Sequence, residues 1–163
     1  MNADAGGPSG AGPEAALERM GIDLPPPPTA LASYVPVKVA RGLAFVSGQV
    51  ALVDGTPMYP GHVGGEVTVE EAADAARRCA LQALSALRAE LGTLDLVAGI
   101  AHVSVFVAST PGFTAQPAVA NGASDLLVEV FGPESGPHAR FAVGVPDLPL
   151  SASVEVALTA ELR

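Results

Sequence analysis

The stretch "TVEEAADAARRCALQALSALRAELG", from Thr68 to Gly92, can form essentially one structure. Thr68 followed three residues later by Glu71 is a capping box, in which each side chain satisfies the other's backbone N–H at a helix start. Gly92 supplies the residue that ends a helix in the left-handed region. Between them Ala73, Ala76, Ala80, Leu84, Leu87 and Leu91 recur at helical spacing and make one apolar stripe. A stripe this long must be buried against another layer, so the chain folds around a core. Because half of it is alanine, whatever covers it comes close.

The covering layer reads as a sheet. "YVPVKVA", a turn at Arg41-Gly42 and "LAFVSGQVAL" predict a hairpin that starts near Tyr34 and closes before Asp54-Gly55. "GIAHVSVFVAS" predicts a strand with Val103, Val105 and Val107 on one face. Pro117 opens a second helix through "AVANGASDLLVEVF", stopped by Gly132. "ARFAVGV" and "ASVEVALTAEL" then read as two strands around the turn Pro146–Pro149. Ahead of all this lie a Gly- and Pro-rich start, a short helix around Glu14–Met20, and an extended segment at Pro25–Pro28. The chain therefore divides into a flexible extension (residues 1–30, containing the short helix) and one domain (31–163). The order β-β-α-β-α-β-β gives an α+β fold, a mixed sheet with both long helices on one face.

Charge narrows the function classes. Eight Lys and Arg against 17 Asp and Glu leave a formal charge of −9, and the basic residues are scattered. Nucleic-acid binding rests on clustered cations that neutralise phosphates, so nucleic acid is not an expected partner. The mean hydropathy is positive, with 49% apolar residues, yet no apolar run reaches the length of a membrane span. That surplus fits burial between subunits. One cysteine, Cys79, permits no internal disulfide and suits the cytoplasm; it reads as a packing residue, with a reactive thiol as the alternative. His62, His102 and His138 lie far apart, which leaves no metal-ligand spacing.

The polar residues that interrupt apolar strands carry the functional signal. Alternation places Phe141, Val143 and Val145 on one side of their strand and Arg140, Ala142 and Gly144 on the other. In the last strand Val154, Val156 and Leu158 oppose Ser153, Glu155 and Thr159. If both apolar sets meet the helices, Arg140 and Glu155 share the opposite face. They then form either a cross-strand ion pair or, under a covering surface, an anion clamp, since a planar guanidinium binds a carboxylate through two parallel hydrogen bonds. Ser47, Gly48 and Gln49 break the second strand where a bulge or a ligand approach is expected. Tyr34 precedes that hairpin. Asn121 and Gly122 are poor helix formers inside the second helix, and such violations concentrate at functional or strained sites.

Taken together, "YVPVKVARGLAFVSGQVAL", "VFVASTPGFTAQPAVANGASDLLVEVFG" and "HARFAVGVPDLPLSASVEVALTAEL" resemble the RidA/YjgF family, from about Leu31 to the C-terminus. The subgroup most similar is the chorismate-mutase-like endoribonuclease L-PSP group; His138, Phe141 and Pro146 depart from the common signature. The resemblance implies a chorismate-mutase-like homotrimer with clefts between subunits. It also implies that the strand around Val103–Val107 lies between the last two, so that Arg140 and Glu155 share a face without touching. In deaminating members the arginine at the place of Arg140 holds the carboxylate of a 2-imino or 2-enamino acid while water attacks the imine, releasing ammonia. Glu155 matches the family's C-terminal acid as water-positioning group, and Tyr34, Ser47, Gly48, Gln49 and Asn121 shape the pocket. No cofactor or metal is implied. The alternatives are a regulatory trimer that binds small carboxylates without turning them over, and, against the charge argument, an endoribonuclease.

Overall fold

The computed structural model describes residues 12–29 and 33–163. The regular elements are α1 (Pro13–Arg19), β1 (Val37–Ala40), β2 (Leu43–Val50), a small hairpin β3 (Leu52–Val53) and β4 (Thr56–Pro57), α2 (Val69–Leu91), β5 (Val97–Ala108), α3 (Gln116–Ser135), β6 (Ala139–Val145) and β7 (Val154–Leu162). The Gly- and Pro-rich start lies outside the described residues. No described helix is long and apolar enough to cross a membrane.

The capping box of α2 forms as the sequence predicts: Glu71 N–H donates to Thr68 Oγ1 at 3.2 Å, and Thr68 N–H to Glu71 Oε2 at 2.9 Å. Gly92, at φ 84°, ends the helix. Ala76, Ala80, Leu84 and Leu87 are fully buried, and so are Ala72, Ala75, Cys79 and Ala83 beside them, because the sheet covers one flank of α2 and α3 another. Burial pushes the Cys79 thiol pKa up, which makes it an inert packing residue. The polar residues on α2 are used structurally: Ser85 donates to the Pro25 carbonyl at 2.6 Å and Gln82 accepts from Leu52 N–H at 3.0 Å. The first tethers the proline-rich lead-in and the second the β3–β4 hairpin. α1 packs into the same core through Ala16 and Leu17. Its Glu14 accepts from Arg88 Nε and Nη2 and from Leu94 N–H.

The five-stranded sheet has the order β1-β2-β7-β5-β6. All neighbours are antiparallel except β5 and β6, which are parallel and joined through α3. The last two strands are therefore not a hairpin; β5 separates them, as the family resemblance implies. β1 begins at Val37 rather than near Tyr34, because Pro36 has no N–H for the ladder.

One expectation fails, and it moves the site. In the parallel register Arg140, Ala142 and Gly144 pair with Val103, Val105 and Val107, the buried valines beneath the helices. Phe141 and Val143 point the other way and are 41% and 42% exposed. Beside Gly144 there is little room for a side chain, since a Cβ there would lie 2.8 Å from Ser109 Oγ and 2.9 Å from Gln116 Nε2. Glu155 pairs with Phe106 on the helix-free face. Arg140 and Glu155 thus lie on opposite sides of the sheet, and the expected shared face does not exist.

Candidate functional site

Arg140 sits at the start of the edge strand β6, under the first turns of α3. Its Nη1 donates to Asn121 Oδ1 and to Ser124 Oγ, both at 3.0 Å, and its Nη2 to the Pro117 carbonyl at 3.4 Å. All three acceptors are neutral. Among the described residues no carboxylate lies within ion-pair distance of the guanidinium. Of its five N–H groups, Nε–H and one on Nη2 have no protein acceptor there, as many as a bidentate carboxylate uses. The helix-breaking pair in α3 now has a local explanation. Asn121 is exposed and supplies an acceptor to Arg140, while Gly122 lets α3 cross α2 at contact: a Cβ there would lie 1.8 Å from the Ala73 carbonyl oxygen.

Two residues that alternation did not single out as site residues complete this cluster. Ser124 Oγ is 2.9 Å from His138 Nε2, and His138 Nδ1 is 2.7 Å from the Gly136 carbonyl oxygen. A carbonyl only accepts, so in the neutral ring the proton is on Nδ1 and Nε2 accepts from the Ser124 hydroxyl. Gly136 has to be glycine, since a Cβ would lie 2.5 Å from Val128 Cα. The sequence signal was His138 itself, a departure from the family signature two residues before Arg140.

The second group of predicted residues lies across the sheet. The register of β2 against β7 shifts between Val46 and Gln49, the bulge that "SGQ" predicts. Here the close approach is made by a side chain of the same chain: a Cβ on Gly48 would lie 1.9 Å from Glu155 Oε1. Glu155 is half-buried, and desolvation raises its pKa. Ser47 donates through Oγ to the Val35 carbonyl at 2.7 Å, and Gln49 Nε2 donates to the Ser47 carbonyl at 2.9 Å. Both side chains brace the bulge and the lead-in to β1. Tyr34, in that lead-in, is 52% exposed. The structure therefore joins Arg140 with Asn121, and Glu155 with Gly48, but not the two pairs.

The surface cavities add one neighbour. A polar cavity of about 630 Å³ is lined by Gly99, Ser135, Pro137, His138, Ala139 and Glu161 among others, and opens onto the His138 side of the cluster. Another, of about 490 Å³, lies beyond the C-terminal ends of β5 and β6, between His62, Thr110 and Pro146. Neither is lined by Arg140 or Glu155. Among the described residues no three His, Cys, Asp or Glu side chains converge to hold a metal ion.

Comparison with known proteins agrees with this architecture. Protein TCP17 of Trypanosoma cruzi is 47% identical over 147 residues, covering 90% of this chain and 92% of that one. Atu1372 of Agrobacterium tumefaciens, a solved structure of unknown function, superposes with a TM-score of 0.85 at 39% identity, covering 93% and 92% of the two chains. A structure from Shewanella oneidensis described as a "putative endoribonuclease" superposes with a TM-score of 0.88 at 33% identity, over 93% and 99%. The family described as "YjgF/chorismate mutase-like, putative endoribonuclease" matches residues 14–162, from the first residues of α1 to the end of β7. With a mixed sheet, α3 crossing between parallel β5 and β6, and matches along nearly its whole length, the chain belongs to the YjgF/RidA family.

Proposed function

We propose that the protein hydrolyses reactive 2-imino and 2-enamino acids to 2-oxo acids and ammonia, at clefts completed between copies of the chain in a homotrimer. The observation that carries this reading is the Arg140 guanidinium, fixed by three neutral acceptors with two N–H groups left over. A cation held this way has an unmet need for an anion, and a planar fork selects a carboxylate. An imine is already electrophilic, so holding the carboxylate beside a placed water supplies most of what hydrolysis requires, without metal or organic cofactor.

The helix-free sheet face supports the assembly. Phe45, Phe141 and Val143 are 45%, 41% and 42% exposed on it, an apolar patch of the kind a second copy covers. Glu155 lies on that face, so a water-positioning role requires the Glu155 carboxylate of a second copy facing the Arg140 side of the first. The separation within one chain also favours a second reading, a trimer that binds small carboxylates without turnover. RNA cleavage is the third; the −9 charge weighs against it.

The test pairs turnover with binding. Purified protein should accelerate the hydrolysis of enzymatically generated 2-aminoacrylate, and Arg140→Ala should abolish that acceleration. No acceleration over buffer removes the first reading. Calorimetric binding of 2-oxobutyrate that is lost in Arg140→Ala then sustains the second, and no binding removes both.

A further inference from the structure

From the cluster around Arg140 we infer that Ser124 and His138 form a proton relay for the attacking water, with Ser124 touching that water and His138 taking its proton. The inference rests on the imine-hydrolase reading and deepens it, because within one chain the acid expected for this task, Glu155, is on the far face of the sheet.

Three contacts carry it. Ser124 Oγ is within hydrogen-bond distance of His138 Nε2 at 2.9 Å, and His138 is oriented by the Gly136 carbonyl on Nδ1 at 2.7 Å. A hydroxyl, a base and a group that fixes the base's tautomer are the parts a proton-transfer site needs. The same Ser124 oxygen accepts from Arg140 Nη1 at 3.0 Å. Ser124 thus stands one hydrogen bond from the guanidinium whose Nε and Nη2 edge is open to a carboxylate. One Oγ lone pair is taken by Arg140 and the O–H by His138, which leaves the second lone pair for a water. His138 also lines the cavity of about 630 Å³, which opens its side of the cluster to solvent.

The steps balance. The water oxygen bonds to the iminium carbon and the C=N π pair moves onto nitrogen. One water proton passes to Ser124 Oγ as the serine proton passes to His138 Nε2. The imidazolium returns a proton by the same route to the amine nitrogen. The C–N bond then breaks with its electron pair leaving on ammonia, the hydroxyl proton is released to that ammonia, and a 2-oxo acid and ammonium remain.

His138→Gln separates posture from proton transfer, since an amide oxygen accepts the Ser124 hydroxyl but takes no proton near neutrality. In this variant kcat for 2-aminoacrylate should fall by about 10²-fold or more, while the calorimetric Kd for 2-oxobutyrate stays within about twofold. Ser124→Ala, which cuts the route but leaves His138 in place, should reproduce the loss of kcat with the fold retained by circular dichroism. An active wild type whose His138→Gln or Ser124→Ala variant keeps kcat within about threefold overturns the relay and leaves the hydrolase reading standing. A wild type without turnover overturns both.

Discussion

Gly122→Ala sets helix propensity against helix packing. In an isolated helix the change stabilises by about 1 kcal/mol, because glycine is among the poorest helix formers. In this structure the new Cβ would lie 1.8 Å from the Ala73 carbonyl oxygen and 2.7 Å from its carbonyl carbon. That is roughly 1.5 Å inside van der Waals contact, and the obstacle is backbone, so no rotamer change relieves it. α3 must then lift from α2, and both helices carry buried residues, Ala72 and Ala76 on α2 and Val119, Ala123 and Leu126 on α3. Overpacking of this kind costs typically about 1–3 kcal/mol, and more where a whole helix moves. A backbone clash this deep draws on the upper end of that range, about 3 kcal/mol, so subtracting the propensity gain leaves a net loss of about 2 kcal/mol, at about 2–4 °C in Tm per kcal/mol for a chain of this size. Urea denaturation followed by circular dichroism, at one fixed protein concentration, measures it. Because the clash is with a carbonyl oxygen, Ala73→Gly should not rescue the variant. A Gly122→Ala protein as stable as wild type, or rescue by Ala73→Gly, would refute the reasoning.

Two further predictions concern groups fixed by other contacts. Glu14→Ala should loosen α1, because Glu14 accepts from two Arg88 nitrogens and from Leu94 N–H; charged hydrogen bonds of this kind predict a loss of about 2 kcal/mol in urea denaturation, and an unchanged midpoint would show that α1 docks through Ala16 and Leu17 without them. Glu155→Gln should stabilise the protein at neutral pH and not at low pH. Desolvation raises the folded pKa of Glu155, so the unfolded chain ionises first. The wild type therefore loses stability relative to the variant as pH climbs from the unfolded Glu value of about 4.3 to the higher folded one, with no change beyond it. Urea midpoints at pH 4 and pH 8 that differ equally between the two proteins would contradict this.

Local chain physics was legible in the sequence: the capping box at Thr68 and Glu71, the glycine stop at Gly92, the alternation of Val103, Val105 and Val107, and the bulge at Ser47–Gln49; at Gly132, expected to end α3, the backbone leaves helical geometry but the element runs on to Ser135. Each depends on residues within a turn or a strand of one another. The place of β5 between β6 and β7 came from family resemblance, because a short turn between two strand patterns reads equally well as a hairpin.

The site was legible by residue and not by arrangement. Arg140 and Asn121 meet, as do Gly48 and Glu155, yet the two pairs occupy opposite faces. Alternation divides a strand into two sets but does not say which set faces inward. In β6 the outward set is Phe141 and Val143, since the parallel register puts Arg140, Ala142 and Gly144 in step with the buried Val103, Val105 and Val107. Ser124 and His138 likewise meet only because the chain after α3 returns to pair β6 beside β5. The sequence alone determined the elements, their ends and the residue types available for chemistry. The facing of β6, and with it the company Arg140 keeps, was decided by the tertiary pairing of β6 with β5, because that parallel register carries Arg140 to the side where α3 supplies its three acceptors.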